Sequence, residues 1–159
     1  MANIGEWVQD LRGGIEKPIL KIIPASASAL EVVRPICESM YEPDLFLWTW
    51  TIGIEQSSEL LRWQQKGVCG SVWAIMDSSI KKRLPKAHNA MSELKGGMRF
   101  ASTHCKIYIV KSKTACISVL SSANMNKNNR YEFYYITGER EINGYILTEF
   151  RTLYDASKG

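Results

Sequence analysis

Histidine is the scarcest reactive side chain in this sequence, with only His88 and His104 among 159 residues. Cysteine is nearly as sparse: Cys37, Cys69, Cys105 and Cys116 show no close Cys-x-x-Cys spacing. With so few histidines these thiols make no convincing zinc set, so no metal or other cofactor is expected. They read as reduced, mostly buried thiols of a cytoplasmic protein. No apolar run reaches the roughly 18 residues of a membrane span. Glu6 and Asp10 come before any apolar stretch, which does not fit a secretory signal. Internal repeats and low-complexity segments are missing too. Acidic residues are rare in one region. Between Ser79 and Tyr131, Glu93 is the single acid among eleven basic residues, so that stretch carries +10 and the rest of the chain −6. Such a pattern fits either a solvated helix face or a footprint for a polyanion.

What is present is a chain of ordinary composition, long enough for one domain with a real core. Residues 1–27 read as an amino-terminal extension, interrupted by Gly13, Gly14, Pro18 and Pro24, with a short amphipathic helix over Ile4–Leu11. Residues 28–159 read as the domain. Ser28 is placed to cap a helix running to about Tyr41, which Pro35 should distort. Apolar runs predict buried strands over Leu45–Ile52 and Ser71–Met76. Between them Glu55–Lys66 reads as a helix stopped by Gly67. A partly helical stretch over Ser78–Lys95 is broken or restarted at Pro85. Strands follow over Met98–Ala101, Thr103–Val110, Ala115–Leu120 and Tyr131–Thr137. An amphipathic helix over Asn143–Ala156 closes the chain. This order implies an α/β sandwich, a mixed central sheet flanked by helices. Trp48 and Trp50 share a face of one strand and Trp73 lies in another. With Trp63 they read as core or dimer-contact residues.

The densest chemistry lies between His104 and Asn124. On a strand over Thr103–Val110, His104 and Lys106 project from one face. Cys105 then points to the other face, into the core. Lys111–Thr114 reads as a hairpin turn, and the returning strand ends at Ser121 and Ser122, beside His104. Imidazole, ammonium, hydroxyl and carboxamide come together there, the set that phosphoryl transfer needs. His88 reads as a surface residue.

These residues resemble the signature of the phospholipase D superfamily: His-x-Lys, four residues, Asp, then Gly-Ser-x-Asn. His104-Cys105-Lys106 matches it, and so does Ser121-Ser122-Ala123-Asn124 with Ser in the Gly position. Glu132 fits an acid that the family often carries further on. The general course of residues 28–157 is similar as well. Two features depart from the pattern: Lys111 stands where the Asp belongs, and the hairpin is longer than usual.

The resemblance implies a metal-independent phosphodiesterase, similar to the small bacterial endonucleases of the superfamily. His104 would form a phosphohistidine, with Lys106 and Asn124 holding the phosphate oxygens. Ser122 joins the site or merely forms the turn. Glu132 orients the imidazole or pairs with Arg130. The superfamily site uses two His-x-Lys sets and this chain has one, so a twofold homodimer sharing one site is expected. The substrate expected is nucleic acid, DNA before RNA, bound by Lys81, Lys82, Lys86, Lys111, Lys113, Lys127 and Arg130. Lys111 adds charge beside the site or marks a member that only binds. The alternatives are a phospholipase D or phosphatidyl transferase, and a catalytically silent nucleic-acid-binding module.

Overall fold

The computed structural model describes residues 14–23, 27–127 and 129–159. The helix expected over Ile4–Leu11 lies outside them. Among the described residues seven strands form one mixed sheet in the order β1-β7-β6-β5-β2-β3-β4. They are β1 (Ile19–Ile23), β2 (Asp44–Thr49), β3 (Val72–Asp77), β4 (Gly96–Ala101), β5 (Lys106–Lys111), β6 (Cys116–Ser121) and β7 (Glu132–Thr137). The helices are α1 (Ala29–Glu38), α2 (Ile54–Gln65), α3 (Ile80–Arg83), α4 (Pro85–Ser92) and α5 (Arg140–Ala156). The α/β sandwich expected from the sequence is what forms.

Local chemistry sets the boundaries. Ser28 and Glu31 form a reciprocal cap: Ser28 N donates to the Glu31 carboxylate at 2.7 Å, and Glu31 N donates to Ser28 Oγ at 3.4 Å. The helix runs through Pro35 and ends at Glu38, three residues short of the expected Tyr41. Pro35 removes the single N–H that would meet the Glu31 carbonyl, a loss that apolar packing of Val32, Val33 and Ile36 outweighs. Pro85 opens α4, where its missing N–H costs nothing. Gly96 starts β4 at φ +133°, and a Cβ there would meet Val72 O at 2.0 Å, so no other residue fits.

Residues 19–23, inside the stretch read as an extension, pair antiparallel with β7 and extend the sheet. Ile-Leu-Lys-Ile-Ile does not alternate cleanly, and prolines at both ends hide it as a strand.

α1 to α4 cover one face of the sheet. The main core lies there, with Leu45, Leu47, Tyr108, Val110, Val119, Tyr134 and Ile136 from the strands against Val33, Ile36, Leu60 and Trp63. α5 covers part of the other face, over Phe46, Ile107, Ile109 and Leu120. It leaves β7 and β1 bare. Phe133, Ile22 and Leu20 are 44%, 71% and 64% exposed on that side. Ile22 pairs with Phe133 and Leu20 with Tyr135, so these side chains form one continuous apolar surface.

β2, β3 and β4 run parallel, and β5 runs against them. One edge of the sheet therefore collects the carboxyl ends of β2, β3, β4 and β6 and the amino ends of β5 and β7. The register fixes this level: Phe100 pairs with Met76, Met76 with Thr49, and Thr49 with Lys106. Ligand sites of α/β sheets gather at such an edge.

Candidate active site

β5 begins at Lys106, not at Thr103. Residues 103–105 form a short loop at the upper edge, and its hydrogen bonds explain why. Asp77, the last residue of β3, accepts from Thr103 N at 3.2 Å through one carboxylate oxygen. Its other oxygen accepts from Ser79 N at 3.0 Å and Ser79 Oγ at 2.5 Å. These bonds hold the Asp77 carboxyl below its ordinary range, Ser79 contributing most. Thr103 Oγ1 in turn accepts from Trp48 Nε1 at 2.8 Å and from Cys105 N at 3.2 Å. The loop cannot join the ladder because its backbone is bonded elsewhere.

His104 projects from this loop into a cleft of about 820 Å³. Lys106, Ser122, Asn124, Arg130 and Glu132 line the same cleft. Lys106 Nζ lies 3.1 Å from His104 Nδ1 and donates to the His104 carbonyl at 2.9 Å. An ammonium has no acceptor, so Nδ1 accepts in this resting arrangement. Burial pulls the Lys106 ammonium below its ordinary range, and the nearby Glu132 carboxylate opposes that shift. Ser122 Oγ donates a short hydrogen bond to Glu132 and accepts from Phe133 N at 3.1 Å. Both bonds run to the first two residues of β7, so Ser122 ties the end of β6 to that strand. Beneath the cleft, the fully buried Tyr108 hydroxyl donates to Ala123 O at 2.7 Å. Asn124 O accepts from Ala29 N at 3.3 Å. Both ends of the Ser122–Asn124 turn are therefore fixed. Asn124 Oδ1 is buried and accepts no hydrogen bond from the described residues.

Other expected site residues are dispersed. Lys111 is at the opposite end of β5, across from Asp44, and Lys113 follows in the hairpin beyond it. Five residues of strand, about 16 Å, separate Lys111 from Lys106, so it does not stand beside the cleft. The reason is the alternation and length of the strand itself. Lys127 forms a 3.3 Å ion pair with Glu31. Lys81, Lys82 and Lys86 are exposed on α3 and α4, with Lys81 Nζ 4.1 Å from the centre of the Phe100 ring. His88 is half-buried, its ring 5.5 Å from that of Phe100.

Two expectations about packing are corrected here. Cys105 is not a core residue on the far face: it is half-buried and lines the cleft, because the loop breaks the alternation that would turn it away. Trp50 is a cleft wall, with its ring 5.4 Å from that of His104. It follows the end of β2, where the sheet no longer covers it. Asp77, Ser79 and Arg83 were not singled out as site residues. Asp-x-Ser at the end of a buried strand is an Asx-turn signal that pointed to them.

The described residues hold no group of three or more His, Cys, Asp or Glu side chains that could hold a metal ion. No helix among them is long and apolar enough to cross a membrane.

No family model and no curated protein matches the chain in sequence. Solved structures do match. A phospholipase D family member, Nuc from Salmonella typhimurium, superposes with a TM-score of 0.66 at 17% identity, over 89% of this chain and 97% of its own. NucT from Helicobacter pylori gives a TM-score of 0.71 at 15% identity, over 90% and 98%. The chain has the phospholipase D fold. That fold is the one its His-x-Lys and Ser-x-Asn motifs implied. TrmBL2, an archaeal chromatin protein described with a mode of DNA binding, matches more distantly, with a TM-score of 0.56 at 11% identity over 87% of this chain and 53% of its own.

Proposed function

We propose that this protein is a phosphodiesterase that cleaves nucleic acid without a metal ion, through a phosphohistidine formed in a site shared by two protomers. The observation that carries the reading is the convergence of His104, Lys106, Ser122, Asn124 and Glu132 in one cleft of a phospholipase D fold. In this mechanism one imidazole attacks phosphorus as the P–O bond to the leaving strand breaks. The second protomer's His104 gives the leaving oxygen its proton, then takes one from the water that hydrolyses the phosphohistidine. Lys106 leaves its resting contact with Nδ1 and neutralises the phosphate, and the Asn124 amide donates to it. Ser122 and Glu132 fix the turn from which Asn124 projects.

The shared site is supported by the bare apolar face. Leu20, Ile22 and Phe133 form a surface of the kind a soluble chain covers. It runs into the cleft through Phe133, which lines both. A twofold partner seated there brings the second His104 towards the first. The basic stretch from Ser79 to Tyr131 favours a polynucleotide over a lipid, with DNA the first choice. The free thiols suit the cytoplasm. A silent DNA-binding role is the second reading, favoured by the likeness to TrmBL2.

The experiment is cleavage of plasmid DNA and of RNA in excess EDTA by wild type and His104→Ala. Persistent cleavage by wild type, with none by the variant and affinity within about threefold, is the expected result, because the basic surface binds through phosphates the histidine does not touch. A strict magnesium or zinc requirement, or turnover by the variant, sinks the mechanism. Binding without cleavage by wild type favours the silent module.

A further inference from the structure

Arg83 differs from the other basic residues around the cleft. Its guanidinium carbon lies 4.3 Å from the centre of the Trp50 ring, and Trp50 is the wall against which His104 stands at 5.4 Å. Its Nε donates to Ser79 Oγ at 2.9 Å, and Ser79 is held by Asp77, the carboxylate that also holds Thr103. The contacts close a ring: His104, Thr103, Asp77, Ser79, Arg83, Trp50 and back to His104. The buried Ile80 anchors the turn beneath it. A long exposed side chain is thereby fixed at its Nε and on one face of its plane. Among the described residues no hydrogen bond or ion pair engages its two terminal nitrogens, although its charge is felt by the Asp77 carboxylate. By contrast Lys127 pairs with Glu31, and Arg34 and Arg62 pair with Glu38 and Glu59. A pre-fixed guanidinium presenting two N–H pairs is the geometry that grips phosphate bidentately.

We propose that Arg83, stacked on Trp50, is the binding group for the phosphate adjoining the scissile one on a polynucleotide strand. One indole separates this subsite from the imidazole, so the two phosphates it spans are neighbours in one strand. The ring of contacts ties occupancy of the subsite to the loop that carries His104. The protein thus reads a chain of phosphates, not an isolated diester. The subsite rests on the phosphodiesterase reading above for its role in cleavage, though not for its role in binding.

The test uses the full chain and a short fluorescein-labelled single-stranded DNA. In a His104→Ala background, Arg83→Ala is expected to weaken binding roughly tenfold and to lower the slope of log affinity against log salt by about one phosphate contact. Arg83→Lys restores part of both. In the cleavage arm, an uncharged methylphosphonate replaces the phosphate on one or the other side of the scissile position. One of the two replacements is expected to cost wild type about tenfold in kcat/KM and to cost Arg83→Ala little more, because both remove the same contact. Bis(p-nitrophenyl) phosphate has no flanking phosphate, so Arg83→Ala should lower the ratio of DNA to diester kcat/KM by roughly tenfold. Equal losses on both substrates, additive losses with the methylphosphonate, or unchanged binding and salt slope overturn the subsite. If wild type cleaves neither substrate, it is the phosphodiesterase reading that fails, and the binding arm still decides for or against Arg83.

Discussion

The two ends of β5 carry the same side chain in opposite surroundings. Lys106, at the upper edge, is partly buried, meets His104 at 3.1 Å and has its ammonium pulled down by desolvation. Lys111, at the lower edge, stands across from Asp44, whose carboxylate is engaged by Ser71 N at 2.7 Å. His104, Ser122, Asn124 and Glu132 share the cleft at the upper edge with Lys106. The lower edge closes with a hairpin whose bonds are local, Ser112 to Thr114 and Ala115. Motif membership therefore does not imply site membership. The motif's fifth position after Lys106 serves the hairpin end of the strand. On the proposed mechanism, a change of Asp to Lys there is expected to leave the chemistry alone, and a change at Lys106 is not.

The sharpest way to break the comparison is to remove the proposed second protomer. Ile22→Glu with Phe133→Glu is expected to give a monomer by sedimentation and to lower cleavage by roughly a thousandfold, since half of a unit of interdependent groups is lost. A fully active monomer would refute the shared site. Mixing His104→Ala chains with wild type sharpens the same point: the heterodimers, lacking one histidine, should have well below half the activity of the wild-type dimer.

Next comes the direct contrast. Lys106→Met should cost about a hundredfold in kcat, the scale of one lost charge-stabilising group. Lys111→Met should stay within about twofold, read in the same assay. Equal effects would mean the two ends are not functionally distinct.

The basic surface of α3 and α4 gives a smaller effect. Reversing Lys81, Lys82 and Lys86 to Glu is expected to weaken DNA binding about tenfold for all sequences alike and to flatten its salt dependence, because phosphate contacts carry no sequence information. A sequence-dependent loss would point to base reading.

The smallest expected change is in stability. Asp77→Asn leaves Thr103 and Ser79 with a weaker acceptor and should cost about 1–3 kcal/mol in denaturant unfolding. Asp77 has a folded-state pKa below its unfolded value, which is about 3.9. Its contribution is therefore complete above that unfolded value and is lost as pH falls through the folded one. The variant and wild type should converge in stability in strong acid. A constant difference down to the lowest pH would show that the carboxylate is not the cause.

Much of this was legible in the linear pattern. Buried strands such as Leu45–Thr49 and Val72–Met76 announce themselves as apolar runs. α5 shows its apolar face at helical spacing, and Ser28 with Glu31 spells a cap. His104, Lys106, Ser122, Asn124 and Glu132 could be grouped because a hairpin returns one strand beside the other. What was not legible depended on where a strand stops. Starting β5 at Lys106 turned Cys105 into the cleft, and ending β2 at Thr49 exposed Trp50. β1 was hidden because its pairing with β7 spans more than a hundred residues and leaves no local period.

The sequence by itself determined the α/β order of elements and the inventory of the hairpin motif, because periodicity and short-range turns are local properties of a chain. The tertiary structure alone decided which cations stand near His104, which tryptophan walls the cleft and which carboxylate holds its loop. Those relations join β2, β3, α3 and β5 through hydrogen bonds and ring contacts between residues as far apart as Trp48 and Thr103. Such contacts are fixed only when the sheet order and register are fixed, and no local pattern encodes them.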